Sequence, residues 1–174
     1  MEQVVSTECA HDEMVEIEQV IPNPRNPNTH LEEQIRLLAK MISAQGWRCP
    51  ITVSKRSGFI VRGHARLLAA RSLELGQVPV DYQDYASEAE EWADLIADNR
   101  IAELAEMDRP ALKDILEELD TGALDMELTG FTEDALKELM GEFHVPESEP
   151  EYNESITDGV KFTTCPKCNH KFPV

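Results

Sequence analysis

The chain has 174 residues, 41% of them hydrophobic, and a formal net charge of -18, which suits one compact domain with an appendage rather than two ordinary domains. No run approaches the roughly 18–20 consecutive apolar residues of a membrane-spanning helix, and Met1-Glu2-Gln3-Val4-Val5 lacks the basic-then-apolar start of a secretory signal, so the sequence reads as cytoplasmic with no membrane partner. A field of this sign repels polyanions unless positive charge is segregated, which counts against direct binding of duplex DNA.

After a polar, flexible start over residues 1–13, Met14 to Ile21 alternates as a half-buried strand does. Pro22 ends it, and the three prolines and three asparagines of 22–28 predict a stiff loop. Thr29-His30-Leu31-Glu32 has the form of a capping box for a helix reaching Gln45, with Leu31, Ile35, Leu38 and Ile42 on one face and Gly46 as its stop. Residues 50–54 and 59–62 pair as a hairpin about Lys55-Arg56-Ser57-Gly58. Gly63 closes the second strand, a helix runs from His64 to Leu75, and 77–82 forms another strand.

Ser87-Glu88-Ala89-Glu90 is a second capping box and opens a helix that reaches Glu106, with Trp92 and Ile96 marking its apolar face. Asp108 and Thr132 cap two further helices in an acidic stretch. Residues 146–158 read as a linker, and the chain closes on Cys165-Pro166-Lys167-Cys168-Asn169-His170. The expected organisation is a flexible start (1–13), an α+β domain with a small mixed sheet and packed helices (14–107), an acidic helical extension (108–145), and a linker with a Cys-x-x-Cys tail (146–174). Trp47 and Trp92 read as core anchors, and Cys49 as a small buried residue.

Positive charge is segregated. Residues 47–83 carry Arg48, Lys55, Arg56, Arg62, Arg66 and Arg71 against only Glu74 and Asp81, while 84–174 holds 7 basic and 24 acidic residues. Most of these charges, taken singly, read as solvated surface. The island as a whole suits a small anionic ligand. At Val61-Arg62-Gly63-His64-Ala65-Arg66 a strand gives way to a helix start, where unpaired amides and the positive end of the helix dipole favour an anion. Gly63 lets an anion approach the backbone, Arg66 and Arg62 add forked donors, and His64 can donate to an oxygen or move a proton. A bland tight turn explains the same residues. On the later helix, Asp98, Asn99 and Glu103 continue the expected core-facing stripe and so face either a ligand with its metal or an internal loop.

Together, the Ile21-Pro22-Asn23-Pro24-Arg25 loop, the capped helix, the hairpin, Gly63-His64-Ala65-Arg66 and Ala97-Asp98-Asn99-Arg100 resemble the N-terminal domain of ParB-type partition proteins, a fold shared with sulfiredoxin. The resemblance covers roughly residues 15–107 and is nearest to the stand-alone or methyltransferase-linked forms of phages and mobile elements. It implies a nucleoside triphosphate held with Mg2+, with Gly63 to Arg66 cradling phosphates, Asp98 and Asn99 near the metal ion, and Arg25 on a loop closing over the nucleotide. Ala65 and Leu68 stand where partition proteins carry arginines, which departs from the pattern for CTP hydrolysis. His64 replaces the catalytic cysteine of sulfiredoxin, which argues against peroxiredoxin repair. The acidic region after residue 107 replaces the basic helix-turn-helix of partition proteins.

Cys165 and Cys168, with His170 beside them, have the spacing of a zinc knuckle, so Zn2+ is expected, with remaining ligands from elsewhere in the chain or from a second copy in a homodimer. Free surface thiols are the alternative. The leading functional expectation is a nucleotide-binding ParB-like accessory or regulator in DNA maintenance or modification by a phage or mobile element, working through a DNA-modifying or DNA-binding protein partner. The alternatives are a nucleotide hydrolase or phosphotransferase with His64 or an acidic group near Asn99 as base, and an acidic interaction module with a decayed pocket.

Overall fold

The computed structural model describes residues 5–143 and 161–173. They fall into two units, Met1–Met140 and Gly141–Val174. The expected linker over 146–158 lies outside the described residues.

The first unit is built on a four-stranded mixed sheet of order β1-β4-β2-β3. The strands are β1 (Glu13–Glu16), β2 (Ile51–Ser54), β3 (Ile60–Arg62) and β4 (Gln77–Gln83). β1 runs antiparallel to β4, β4 parallel to β2, and β2 antiparallel to β3 through a tight hairpin closed by Gly58. The parallel pair needs a long crossover, and α2 (His64–Ser72) supplies it. α1 (Glu32–Gln45) lies beside α2, and together with the sheet they bury Ile42, Trp47, Ile51, Ile60, Leu67, Val78 and Val80.

Several expectations shift in detail. The first strand stops at Glu16 and passes into a 3-10 turn, so Ile17 and Val20 are buried by the turn rather than by an extended strand. The Thr29 capping box does not form. Leu31 is the residue before the helix, no side chain caps it, and Leu31 is 75% exposed instead of joining the core. Gly46 ends α1 at φ 76, and an added Cβ there would meet Ser6 at 2.4 Å, because the N-terminal segment hydrogen-bonds alongside Trp47. Cys49 is exposed, since it lies in the bend just before β2 instead of within it.

α3 (Glu88–Glu103) starts as the second capping box predicts: the Glu90 N–H donates to Ser87 Oγ, and the Glu90 carboxylate accepts from the Ala86 N–H. Its buried face is Glu91 and Leu95, while Ile96 and Ile101 point outward. Asp108 and Thr132 cap α4 (Arg109–Leu119) and α5 (Glu133–Gly141). A 3-10 turn between them, Met126–Thr129, packs against α1, where Arg36 grips Glu127 with both terminal nitrogens and Lys40 reaches Asp125 and Glu127. These two bases hold the Glu127 carboxyl down at about 2. Residues 108–140 of the acidic extension therefore belong to the same unit as the sheet.

The second unit contains a hairpin, β5 (Phe162–Thr164) and β6 (Lys171–Pro173), whose strand residues are all exposed. Among the described residues no helix is long and apolar enough to cross a membrane.

Candidate functional site

Gly63 sits between β3 and α2 at φ 98 and ψ 25, left-handed backbone that L side chains rarely adopt. That geometry turns the chain into the helix within one residue, and no side chain caps the first amides of α2. An added Cβ would lie 2.9 Å from Arg66 Nη1 and 3.4 Å from the Ile51 backbone, so the glycine also lets Arg66 fold back across the turn. There Arg66 Nη1 donates to the Pro50 carbonyl at 2.7 Å, which fixes the guanidinium against the start of β2.

The turn opens onto a cavity of about 230 Å³ whose lining joins Gly63, His64, Ala65 and Arg66 to Asp98 and Asn99 of α3 and to Asn26, Asn28, His30 and Gln34. Uncapped amides, the helix dipole and Arg66 make the α2 side attractive to an anion. Asp98, in the same lining, repels a bare polyphosphate and attracts one carrying a divalent cation. The volume is below the roughly 300–1,000 Å³ of drug-sized sites. It fits a phosphate group with the rest of a ligand lying outside.

His64 is neutral and already engaged. Burial first, and the neighbouring His30 second, push its imidazole down to about 4, and its Nε2 accepts the Asn23 N–H at 3.2 Å. With that bond in place the lone pair needed for a general base is occupied. His64 instead ties the proline-rich loop to the start of α2, helped by Asn23 Oδ1, which accepts the Arg25 N–H.

Arg62 lines the same cavity and is shared. It pairs with Asp94 and lies 3.6 Å from Asp98, while Tyr85 Oη donates to Asp94 at 2.7 Å. Burial alone would raise the Asp94 carboxyl, but the hydrogen bonds from Arg62 and Tyr85 outweigh it and hold the group below its ordinary range. Burial and the bond to Asp94 raise the Tyr85 phenol. Arg62 also lines a polar cavity of about 460 Å³ whose wall includes Asp81, Glu90 and Asp94, a carboxylate set that disfavours anions. A groove of about 750 Å³ along α1 and α2 is mainly apolar and lacks the convergent donors a phosphate needs.

Two expected residues stand apart from the cavity. Glu103 is exposed and pairs with Arg100 at 2.9 Å, because the buried stripe of α3 runs through Glu91 and Leu95, which turns position 103 outward. The Arg25 guanidinium lies 4.1 Å over the Trp92 ring, a cation–π contact that leaves Trp92 half-buried rather than central to the core.

Sequence reasoning missed two groups. His30 Nδ1 contacts Gln34 Oε1 at 3.1 Å, but its buried Nε2 has no hydrogen-bond partner beside the cavity. Glu91 is fully buried and accepts from Ser54 Oγ (2.8 Å), Ser57 Oγ (2.7 Å) and Arg56 Nε (3.1 Å), pinning α3 to the β2–β3 hairpin. Its place one helical turn before Leu95 was the only available signal.

In the tail, Cys165 and Cys168 share one tight turn. No three His, Cys, Asp or Glu side chains among the described residues converge as a metal set, so His170 does not join the two thiols.

A family model for the ParB N-terminal domain matches residues 1–99. The ParB-like nuclease domain-containing protein YnaK of Escherichia coli (strain K12) is 34% identical over 64 residues, which is 37% of this chain and 72% of that protein. Among solved structures, the C-terminally truncated chromosome-partitioning protein ParB from Caulobacter crescentus, complexed with CTP-γ-S, aligns with a TM-score of 0.52 and 24% identity. That alignment covers 74% of this chain and 70% of the other, a likeness of fold.

Proposed function

Because the chain belongs to the ParB N-terminal domain family, we propose that it binds a nucleoside triphosphate with Mg2+, its phosphates resting on Gly63, His64, Ala65 and Arg66. The observation that carries this reading is the left-handed Gly63 turn opening, uncapped, onto a cavity that Asp98 and Asn99 also line. In this reading Asp98 and Asn99 meet the cation or its water shell. Arg62 leaves Asp94 for a phosphate oxygen, and Arg25 swings from Trp92 to cover the ligand. The binding of CTP-γ-S by the partition protein of similar fold supports a nucleotide over other anions. Glu103 has no part in the site.

The biological role we propose is that of an accessory or regulator in DNA maintenance or modification by a phage or mobile element. Residues 14–107 carry the site, and the acidic extension 108–145 is offered to a DNA-binding or DNA-modifying protein partner. With Nε2 of His64 occupied, ligand binding is favoured over turnover. Calorimetry with a panel of nucleoside triphosphates and Mg2+ tests the reading on the wild type and on Arg66→Ala, with thermal unfolding recorded in parallel. Wild-type binding that falls at least tenfold in a folded Arg66→Ala supports it. No wild-type binding, or equal binding by the variant, refutes the site.

A further inference from the structure

The packing of the C-terminal hairpin within its own unit does not account for it. Its strands have three residues each, every one exposed, with Phe162 at 59% and Phe172 at 41% exposure. A two-stranded ribbon with no buried apolar face is marginal in water, and units of this size need a staple.

The turn gathers sulfur instead. The Cys165 N–H donates to the His170 carbonyl and the Asn169 N–H to the Cys165 carbonyl, both at 2.9 Å, while Asn169 takes left-handed backbone at φ 60. This folding aims the N–H groups of Lys167 and Cys168 at the Cys165 sulfur, which also has the Cys168 thiol as a hydrogen-bond neighbour. The two cysteines share this single turn, at the spacing that zinc knuckles use.

A closed structural zinc site takes four ligands, and among the described residues no third side chain joins these two. We propose that the hairpin is half of a tetrahedral zinc site completed by Cys165 and Cys168 of a second copy of the chain. A two-fold axis through the metal makes each copy supply the same two thiolates, the self-complementary arrangement expected of a symmetric dimer. Binding releases the thiol protons to solvent and forms four Zn–S bonds, with no change of oxidation state. The exposed Phe162 and Phe172 are then available for cover by the facing hairpin.

The test uses the full chain, purified without chelator and free of nucleotide. Metal analysis is expected to give about half an equivalent of zinc per chain, and light scattering on a sizing column a dimer that a chelator converts to monomer. Cys165→Ser and, separately, Cys168→Ser are expected to lose the zinc. Cobalt(II) substitution is expected to give the sulfur-to-metal charge-transfer intensity of four thiolates. One equivalent per chain, loss of zinc on Cys49→Ser, no zinc after reconstitution, or a two-thiolate cobalt spectrum would each overturn the shared site. None of these results bears on nucleotide binding, which Arg66→Ala reports separately.

Discussion

Replacing Glu91 by alanine tests whether one buried carboxylate holds α3 on the domain. The side chain is fully buried and accepts three hydrogen bonds, one from Ser54, which is also 0% exposed. Arg56 is 36% exposed and turns to water at little cost once its partner is gone. Ser54 cannot, and a buried hydroxyl left without its acceptor costs about 1–3 kcal/mol. The two hydroxyl bonds to this charged acceptor, from Ser54 and Ser57, at about 1.5–3 kcal/mol each, put Glu91→Ala at about 3–6 kcal/mol. Against the roughly 5–15 kcal/mol that stabilises a typical domain this is a large fraction. With a urea slope of about 2 kcal/mol per molar, the unfolding midpoint falls by about 2 M. Far-UV circular dichroism is the proper probe, because the neighbouring Trp92 would respond to the substitution itself. Glu91→Gln keeps an acceptor and should lose less. In a double-mutant cycle, Ser54→Ala should couple to Glu91→Ala by at least about 0.5 kcal/mol. A Glu91→Ala protein within about 1 kcal/mol of wild type would show that the cluster is ornamental.

Gly63→Ala should cost about 1–3 kcal/mol from left-handed strain alone and should displace Arg66 from Pro50, so ligand affinity falls more than stability does; equal affinity would detach the turn from the site. His64 has its folded value lowered to about 4 from an ordinary 6.5. Its contribution is therefore fully present above pH 6.5 and lost as the pH falls toward 4, worth about 1–2 kcal/mol after allowance for partial exposure. Chemical denaturation across that window should show the slope, and His64→Gln, whose side-chain oxygen can still accept from Asn23, should flatten it; an unchanged slope contradicts the assignment. Glu127→Gln should loosen the 3-10 turn from α1, read as faster amide exchange over residues 125–129 at low salt, with the difference shrinking as salt is added.

The α2 turn was legible in the sequence because a glycine between a β-rich run and a helical run has few other uses. The sequence alone points to a small mixed sheet and no further; the parallel β2–β4 pairing is what the helix between them makes possible. What misled was the assumption that apolar residues mark the inner face. On α3 that rule selects Trp92 and Ile96, whereas the buried stripe begins with a charged residue whose partners lie some 35 positions away, on the hairpin. An error of that size in helical phase carries Glu103 from the site to the surface. At α1, Thr29 had the right chemistry for a cap, but the proline-rich loop delays the helix to Glu32. Asn26, Asn28 and His30 were read as loop and cap residues for the same reason: nothing local reveals that the loop folds back to face Gly63.

The grip on α3 is uneven along its length. Glu91, Asp94 and Leu95 are held by the hairpin, Arg62 and the core, and beyond them Ile96 and Ile101 face outward. Asn99 lies four residues past that last pivot, about 6 Å of axial rise, so a bend of about 10° carries it roughly 1 Å. Asn99, one residue beyond the Arg62–Asp98 ion pair, is thus the part of the cavity lining on α3 least tied to the sheet, where a small bend of the helix end would adjust the rim to a guest.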